Sequence, residues 1–324
     1  MTELRVSAID DLPEIGEGDD LAGLISARIG HELRTYDIVV VTSKVVSKAA
    51  SLVTTADRES LIDDGTDRLV AQKGSTRIVR THGGLTMAAA GLDASNTKPG
   101  TVVSLPPDPD ADAARLRTEL QTRHRDIEYL GVIVTDTAGR AWRIGQTDIA
   151  IGCAGIVPVR SYAGETDAYG NELFVTAPAI ADEIASATEL ATGKLSGRPA
   201  AVVRGVDPSV FCIDDGPGAR ALVRAESEDL FGLGANEAVR QAVATTSDRP
   251  RGFADLDDDP LQVALEAVDP AVLDVGSTTS GISVGIVAGA DHDTALMAIG
   301  ALRERLRILD RAYGTRHEIH VRGL

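Results

Sequence analysis

Asp37-Ile38-Val39-Val40-Val41-Thr42-Ser43-Lys44 is the stretch on which the architecture turns. Its apolar residues follow one another without alternation. A half-exposed strand alternates, so this run is fit for a strand buried inside a sheet. It runs into Thr42-Ser43-Lys44, and Lys48 follows four residues later. A lysine at the end of a buried strand can act as a point charge for phosphate. A solvated loop is the alternative, and the stretch alone does not choose.

Upstream, Arg5 to Ile9 alternates weakly and reads as an edge strand. Leu12-Pro13-Glu14-Ile15 breaks it, because proline fixes φ and lacks an N–H. Asp19 to Leu33 reads as an amphipathic helix through Leu21, Leu24, Ile25 and Ile29. Downstream, Arg58 to Gln72 is expected to be helical, and Gly83 to Gly100 is a small-residue segment without period. Asp108 to Arg125 is a helix with Pro109 in its first turn. Tyr129 to Thr135 is a second buried strand that runs into Asp136-Thr137-Ala138-Gly139, and Asp148 to Ile156 looks strand-like. Pro178 to Thr192 is a helix stopped by Gly193, with Glu183 and Glu189 expected in solvent. Ala200 to Arg204 is a short strand.

Ser247 to Gly252 has linker chemistry. The expected domains are therefore residues 1–247 and residues 248–324. The second part offers a short helix from Pro260 to Val268, a strand from Ile282 to Ala288, and a helix from Asp293 to Tyr313. Ile299, Leu302, Leu306, Leu309 and Tyr313 mark one face of the latter. His317 to Val321 is a last strand, and His317 and His320 read as surface residues.

The 324 residues carry 32 Lys+Arg against 49 Asp+Glu, a formal net charge of −17. A nucleic-acid surface would work against that field, and Phe 4, Trp 1 and Tyr 5 are too few for base stacking. No apolar run approaches the length of a membrane span. The first residues, Met1-Thr2-Glu3-Leu4-Arg5, lack a signal-peptide pattern. Cys153 and Cys212 make neither a disulfide framework nor a zinc cage. The expectation is a cytoplasmic protein that binds neither nucleic acid nor membrane. Lysine is scarce, at Lys44, Lys48, Lys73, Lys98 and Lys194.

A P-loop is absent, since Gly193-Lys194 precedes Leu195 and lacks the leading glycine; no dinucleotide fingerprint or His-Glu-x-x-His pattern occurs either. Two carboxylates stand out. Asp93 lies in Gly91-Leu92-Asp93-Ala94-Ser95-Asn96-Thr97, where small residues let backbone approach a ligand. Asp136 follows a buried strand, where ligands of α/β proteins commonly sit. Together with neighbouring hydroxyls they suit Mg²⁺ or Mn²⁺ bridging phosphates. They suit equally an Asx turn and a strand-end cap.

Seven motifs run in order: Leu12-Pro13-Glu14-Ile15 with Gly18-Asp19-Asp20-Leu21; Val41 to Ala49; Ala90 to Asn96; Leu105-Pro106-Pro107-Asp108-Pro109-Asp110; Thr135-Asp136-Thr137; Tyr169-Gly170-Asn171-Glu172-Leu173; and Ala181-Asp182-Glu183-Ile184. Together they resemble the coenzyme F-420:L-glutamate ligase family, the gamma-glutamyl ligases of deazaflavin coenzyme synthesis, over roughly residues 5–245. The resemblance implies an α+β, mixed-sheet fold in an intertwined homodimer. It implies ligation of L-glutamate to the deazaflavin F-420-0 with GTP and Mg²⁺ or Mn²⁺, with potassium as a further candidate ion. By resemblance Leu12, Pro13, Glu14, Ile15, Ser43, Lys44, Lys48 and Asn96 match nucleotide-binding positions, and Gly193 and Lys194 a stretch near the nucleotide. Asp93 and Asp136 match the ligands of one metal and the catalytic carboxylates, and Thr137 a ligand of a second metal. Archaeal members carry a carboxylate where Lys194 stands, in a segment one residue longer. Either a second metal is held without it, or Lys194 supplies the charge.

Two further expectations complete the reading. A metal-dependent phosphohydrolase using the same aspartates is the competing enzyme class. Relatives that continue into a nitroreductase-like domain bind a flavin there; residues 249–324 are too few for such a domain and are expected to form a small α/β appendage without FMN.

Overall fold

The computed structural model describes residues 3–225, 229, 234, 238, 239, 243, 260–278, 281–313 and 316–322. The chain divides into two compact units, Met1–Thr66 with Arg80–Glu228, and Asp67–Val79 with Asp229–Leu324. The linker and boundary expected near residue 248 lie outside the described residues. The architecture is mixed α and β. Among the described residues no helix is long and apolar enough to cross a membrane.

The first unit begins with β1 (Arg5–Ala8), α1 (Leu21–Ile29), β2 (Asp37–Thr42), α2 (Ser43–Ala49), β3 (Val53–Thr54) and α3 (Arg58–Asp64). The helix expected over residues 58–72 is corrected: α3 stops at Asp64, Gly65 caps it, and β4 (Thr66–Lys73) follows. The Thr66 hydroxyl donates to Ile62 O at 2.6 Å and closes the last turn. Beyond it, β5 (Thr76–Thr81) gives β4 a strand neighbour, and pairing overrides helix propensity; residues 67–79 of this pair belong to the second unit. Then come β6 (Thr86–Ala88), β7 (Val102–Val103), α4 (Pro109–Arg123), β8 (Leu130–Arg140), β9 (Arg143–Ala154), α5 (Ile180–Thr192) and β10 (Ala200–Arg204). Asp20, Asp57 and Asp108 accept from backbone N–H groups at the starts of α1, α3 and α4.

The central sheet has the order β1-β10-β2-β8-β9. β1 is an edge strand antiparallel to β10, which is antiparallel to β2; β2 and β8 are parallel, and β8 and β9 antiparallel. Both faces are covered, which is why β2 does not alternate. Val39, Val41, Val132 and Val134 pack with Ile25, Leu116 and Leu120 from α1 and α4. Ile38, Val40 and Ile133 pack on the other side with Ala181 and Ile184 from α5. Asp37, fully buried at the start of β2, is held by Arg204 through Nε and Nη2, each at 2.7 Å. β8 does not end at Thr135 as expected. It continues to Arg140 because β9 pairs with it as far as Arg140↔Arg143, with a register shift at Val134/Thr135.

In the second unit, α6 (Pro260–Glu266) precedes β11 (Leu273–Thr278), β12 (Gly281–Ile286), α7 (His292–Tyr313) and β13 (Ile319–Arg322). β11 is antiparallel and β13 parallel to β12. Ile299, Leu302, Leu306 and Leu309 form the buried stripe of α7 against Leu273, Ile282 and Val284. β11 is a strand the sequence reading did not include. Its apolar residues, Leu273 and Val275, are only two, with Gly276 and Ser277 after them.

Candidate functional site

A cavity of about 960 Å³ opens in the first unit, beyond the C-terminal end of β2 and beside the part of its parallel neighbour β8 that runs on from Thr135 to Gly139. A crevice forms there because the chain leaves β2 for α2 at Ser43 while β8 runs on as a strand. Every residue singled out for nucleotide or metal lines this one cavity: Leu12, Pro13, Glu14, Ile15, Ser43, Lys44, Lys48, Asp93, Asn96, Asp136, Thr137, Gly193 and Lys194. The Tyr169–Leu173 motif is not brought in. It lies in an exposed turn built on Asp167, which accepts from the backbone N–H groups of Tyr169 and Asn171.

β2 delivers Thr42 to the sheet edge, and α2 starts at once, so Ser43 and Lys44 face the cavity and Lys48 lies one turn on. Lys48 is buried, and its Nζ donates to Glu14 Oε1 at 2.5 Å and to Asn96 O at 3.1 Å. Lys44 Nζ pairs with Asp93 Oδ2 at 2.7 Å and donates to Ser95 O at 2.6 Å and Ser95 Oγ at 2.9 Å. Two lysines thus stitch separate loops to α2.

Asp93 is pinned by a two-way backbone bridge to Val103 in β7. It forms the Asx turn as well: Ser95 N donates to Oδ1 at 2.6 Å and Ser95 Oγ to Oδ2 at 2.9 Å. Burial pushes its carboxyl up, but hydrogen bonds from Lys44 and Ser95 outweigh this and hold it below the usual carboxylate range. The three residues leading to this loop, Ala89, Ala90 and Gly91, all have positive φ (51°, 53° and 73°). Two alanines in that region store strain, a feature that clusters at ligand-binding loops.

Asp136 is no strand-end cap, since β8 runs on past it. Its Oδ1 accepts from Ser43 Oγ at 2.9 Å. Burial pushes its carboxyl up; the Ser43 hydroxyl opposes this, the charges of Asp148 and Asp93 add to it, and the result is about 6. Its hydrogen-bond partners, the Ser43 hydroxyl and the Thr137 N–H, are neutral. A buried carboxylate without a cationic partner is costly, so the site favours a hard cation. Among the described residues no group of three His, Cys, Asp or Glu side chains is assembled to hold a metal alone. Asp136 and Asp93 with hydroxyl oxygens nonetheless fit Mg²⁺ or Mn²⁺, which take few protein ligands and complete their shells with water and phosphate oxygens.

Asp148 is the residue the sequence reading missed. It stands opposite Thr137 in the β8–β9 register, is 5% exposed, and accepts from Thr137 Oγ1 at 2.8 Å and Thr135 Oγ1 at 3.2 Å. The signal was there: a carboxylate opening the apolar run Ile149-Ala150-Ile151. Glu189, expected in solvent, is half-buried at the cavity wall. Burial, then the charge of Asp148, pushes its carboxyl up, and Lys194 opposes them. Lys194 Nζ contacts Thr137 Oγ1 at 3.3 Å. Arg58, Lys98 and Arg198 also line the cavity, so six cationic side chains face five carboxylates. On a chain of net charge −17 this is a local reversal suited to an anionic ligand.

A family model described as F420-0:Gamma-glutamyl ligase matches residues 10–60 and 52–205, a span that contains every cavity residue. The curated relatives include the coenzyme F420:L-glutamate ligase of Methanopyrus kandleri, 35% identical over 249 residues, covering 70% of this chain and 97% of that one. That of Natronomonas pharaonis is 34% identical over 264 residues, covering 74% and 97%. That of Methanosarcina barkeri is 36% identical over 247 residues, covering 70% and 94%.

Proposed function

Because the chain belongs to the F420-0:gamma-glutamyl ligase family, we propose that it joins L-glutamate to the deazaflavin F-420-0 at the expense of GTP. The observation that carries the reading is the convergence on one cavity of Lys44, Lys48, Asp93, Asp136 and Thr137 from separate loops and strands.

The chemistry has a clear demand. A free carboxylate is a poor acyl donor, because oxide is a bad leaving group. Transfer of the γ-phosphoryl group of GTP to the acceptor carboxylate yields an acyl phosphate and GDP. The glutamate amine then attacks the acyl carbon, loses a proton, and phosphate departs with the C–O bonding pair. Positioning and charge neutralisation supply most of the acceleration in such transfers.

The residues divide that work. Leu12 to Ile15 and Asn96 border the nucleotide, and Lys44 and Lys48 offset phosphate charge. Asp93 and Asp136 would hold Mg²⁺ or Mn²⁺, which supplies charge neutralisation on the phosphates when bound. Ser43 orients the Asp136 carboxylate. The chain acts as a cytoplasmic homodimer in this reading, and exposed Trp142 and Ile144 on the β8–β9 hairpin supply apolar surface for a second copy.

Mass spectrometry of deazaflavin products, after incubation with GTP, L-glutamate and Mg²⁺ or Mn²⁺, tests the proposal. One glutamyl unit gained, with GTP use low until acceptor and glutamate are both present, supports it. GTP consumed equally without them marks a phosphohydrolase instead.

A further inference from the structure

The carboxylates of the cavity fall into two sets. Asp136 points to Ser43 on the α2 side and Asp93 lies in the adjacent loop. Asp148 and Glu189 belong to the other set, with Thr137 between Asp148 and Lys194. Thr137 has one hydroxyl proton, and the 2.8 Å contact to Asp148 Oδ1 takes it. Its lone pairs are then left for Lys194 Nζ, which can only donate. Among the described residues the Asp148 carboxylate accepts only from the hydroxyls of Thr135 and Thr137 and forms no ion pair of its own.

We propose that the Lys194 ammonium is the resident cation of this second set, and that the cavity takes one divalent ion beside Asp93 and Asp136 rather than two. The inference rests on the reading of the cavity as a nucleotide- and metal-using ligase site. A divalent ion on the Thr137 oxygen needs a bond of about 2.0–2.1 Å. The ammonium already lies 3.3 Å from that oxygen, and a second cation brought to the same oxygen is repelled by it.

The chain around Lys194 is built to present it. α5 ends at Thr192, and Gly193, with φ 68°, turns the backbone toward the cavity. A tethered ammonium differs from a metal in two respects. It does not dissociate, and its four-carbon stem lets the charge follow a moving phosphoryl group. Lys194 is thus a positioning cation for this set, complementing the exchangeable one at Asp93 and Asp136.

Counting Mn²⁺ bound to the full chain in the presence of GDP, by the loss of free-ion electron paramagnetic resonance signal, tests this. The wild type is expected to bind one Mn²⁺ per chain at the site, and Lys194→Arg the same. Lys194→Ala, an exposed loop change, leaves Asp148 and Glu189 without their cation and is expected to bind a second Mn²⁺. Its ligation rate then depends sigmoidally on Mn²⁺, where the wild type is hyperbolic. Equal counts in wild type and Lys194→Ala, or two ions in the wild type, overturn the inference. If the wild type ligates glutamate and yet holds two ions, the inference about Lys194 falls alone. If GDP does not bind, or no glutamate is ligated, the functional reading falls and takes this inference with it.

Discussion

Replacing Asp136 by asparagine separates what the fold wants from what the chemistry wants. The carboxyl titrates near 3.8 in an unfolded chain and at about 6 in its place on β8, where burial lifts it foremost. With the folded value above the unfolded one, the favourable contribution of the protonated form is complete below pH 3.8 and is lost as pH rises through 6. Two units or so of displacement amount to about 3 kcal/mol against the ionised fold at pH 7.5, and about 1.5 kcal/mol at pH 5. Asparagine matches the shape, keeps an acceptor for Ser43, and carries no charge. Its extra N–H group forfeits one hydrogen bond, about 1 kcal/mol. In metal-free buffer Asp136→Asn is therefore expected to stabilise the protein by about 2 kcal/mol at pH 7.5 and by about 0.5 kcal/mol at pH 5. Urea unfolding with a chelator, followed by far-ultraviolet circular dichroism, should show the midpoint rising by roughly 0.5–1 M at pH 7.5. The single tryptophan, Trp142, is 90% exposed and is a poor reporter. Added Mn²⁺ with GDP should reverse the order, because only the wild type gains binding energy. Ligation should fall by about 10²–10³ or more. An unchanged or lowered midpoint at pH 7.5, or a gain that is the same at both pH values, would refute the reasoning.

Asp93→Asn should abolish ligation while leaving the unfolding free energy within about 1 kcal/mol of wild type, since Asp93 is partly exposed and its lost ion pair to Lys44 is screened; turnover near wild type at limiting metal contradicts the site. Lys48→Ala should weaken GTP binding more than Lys73→Ala in calorimetric titration, because Lys48 lines the cavity and Lys73 does not. Arg204→Met should lower stability by about 3–5 kcal/mol, since it strands the buried Asp37 carboxylate without its two-pronged partner; thermal unfolding reads the loss.

The motifs that identify the family lie in short stretches whose spacing survives in one dimension, and so do the helix caps and the buried strands. Val39 to Val41 and Val132 to Val134 declare themselves because burial on both faces writes an unbroken apolar run. The stripe of α7 does so because one buried face repeats at helical spacing. Tertiary structure alone decided the rest. Residues 66–73 became β4 because a neighbouring strand satisfies their backbone, and a single chain segment carries no sign of its partner. Asp148 joined the site because β9 pairs with β8 past the expected strand end, which sets it opposite Thr137 across an antiparallel register. Glu189 looked like a solvated helix residue, since the cavity wall beside it is built by other elements, Thr137 on β8 and Asp148 on β9 among them. Lys194 was visible as a departure from a pattern. That its ammonium lands beside the hydroxyl of Thr137 depends on how α5 docks against the sheet.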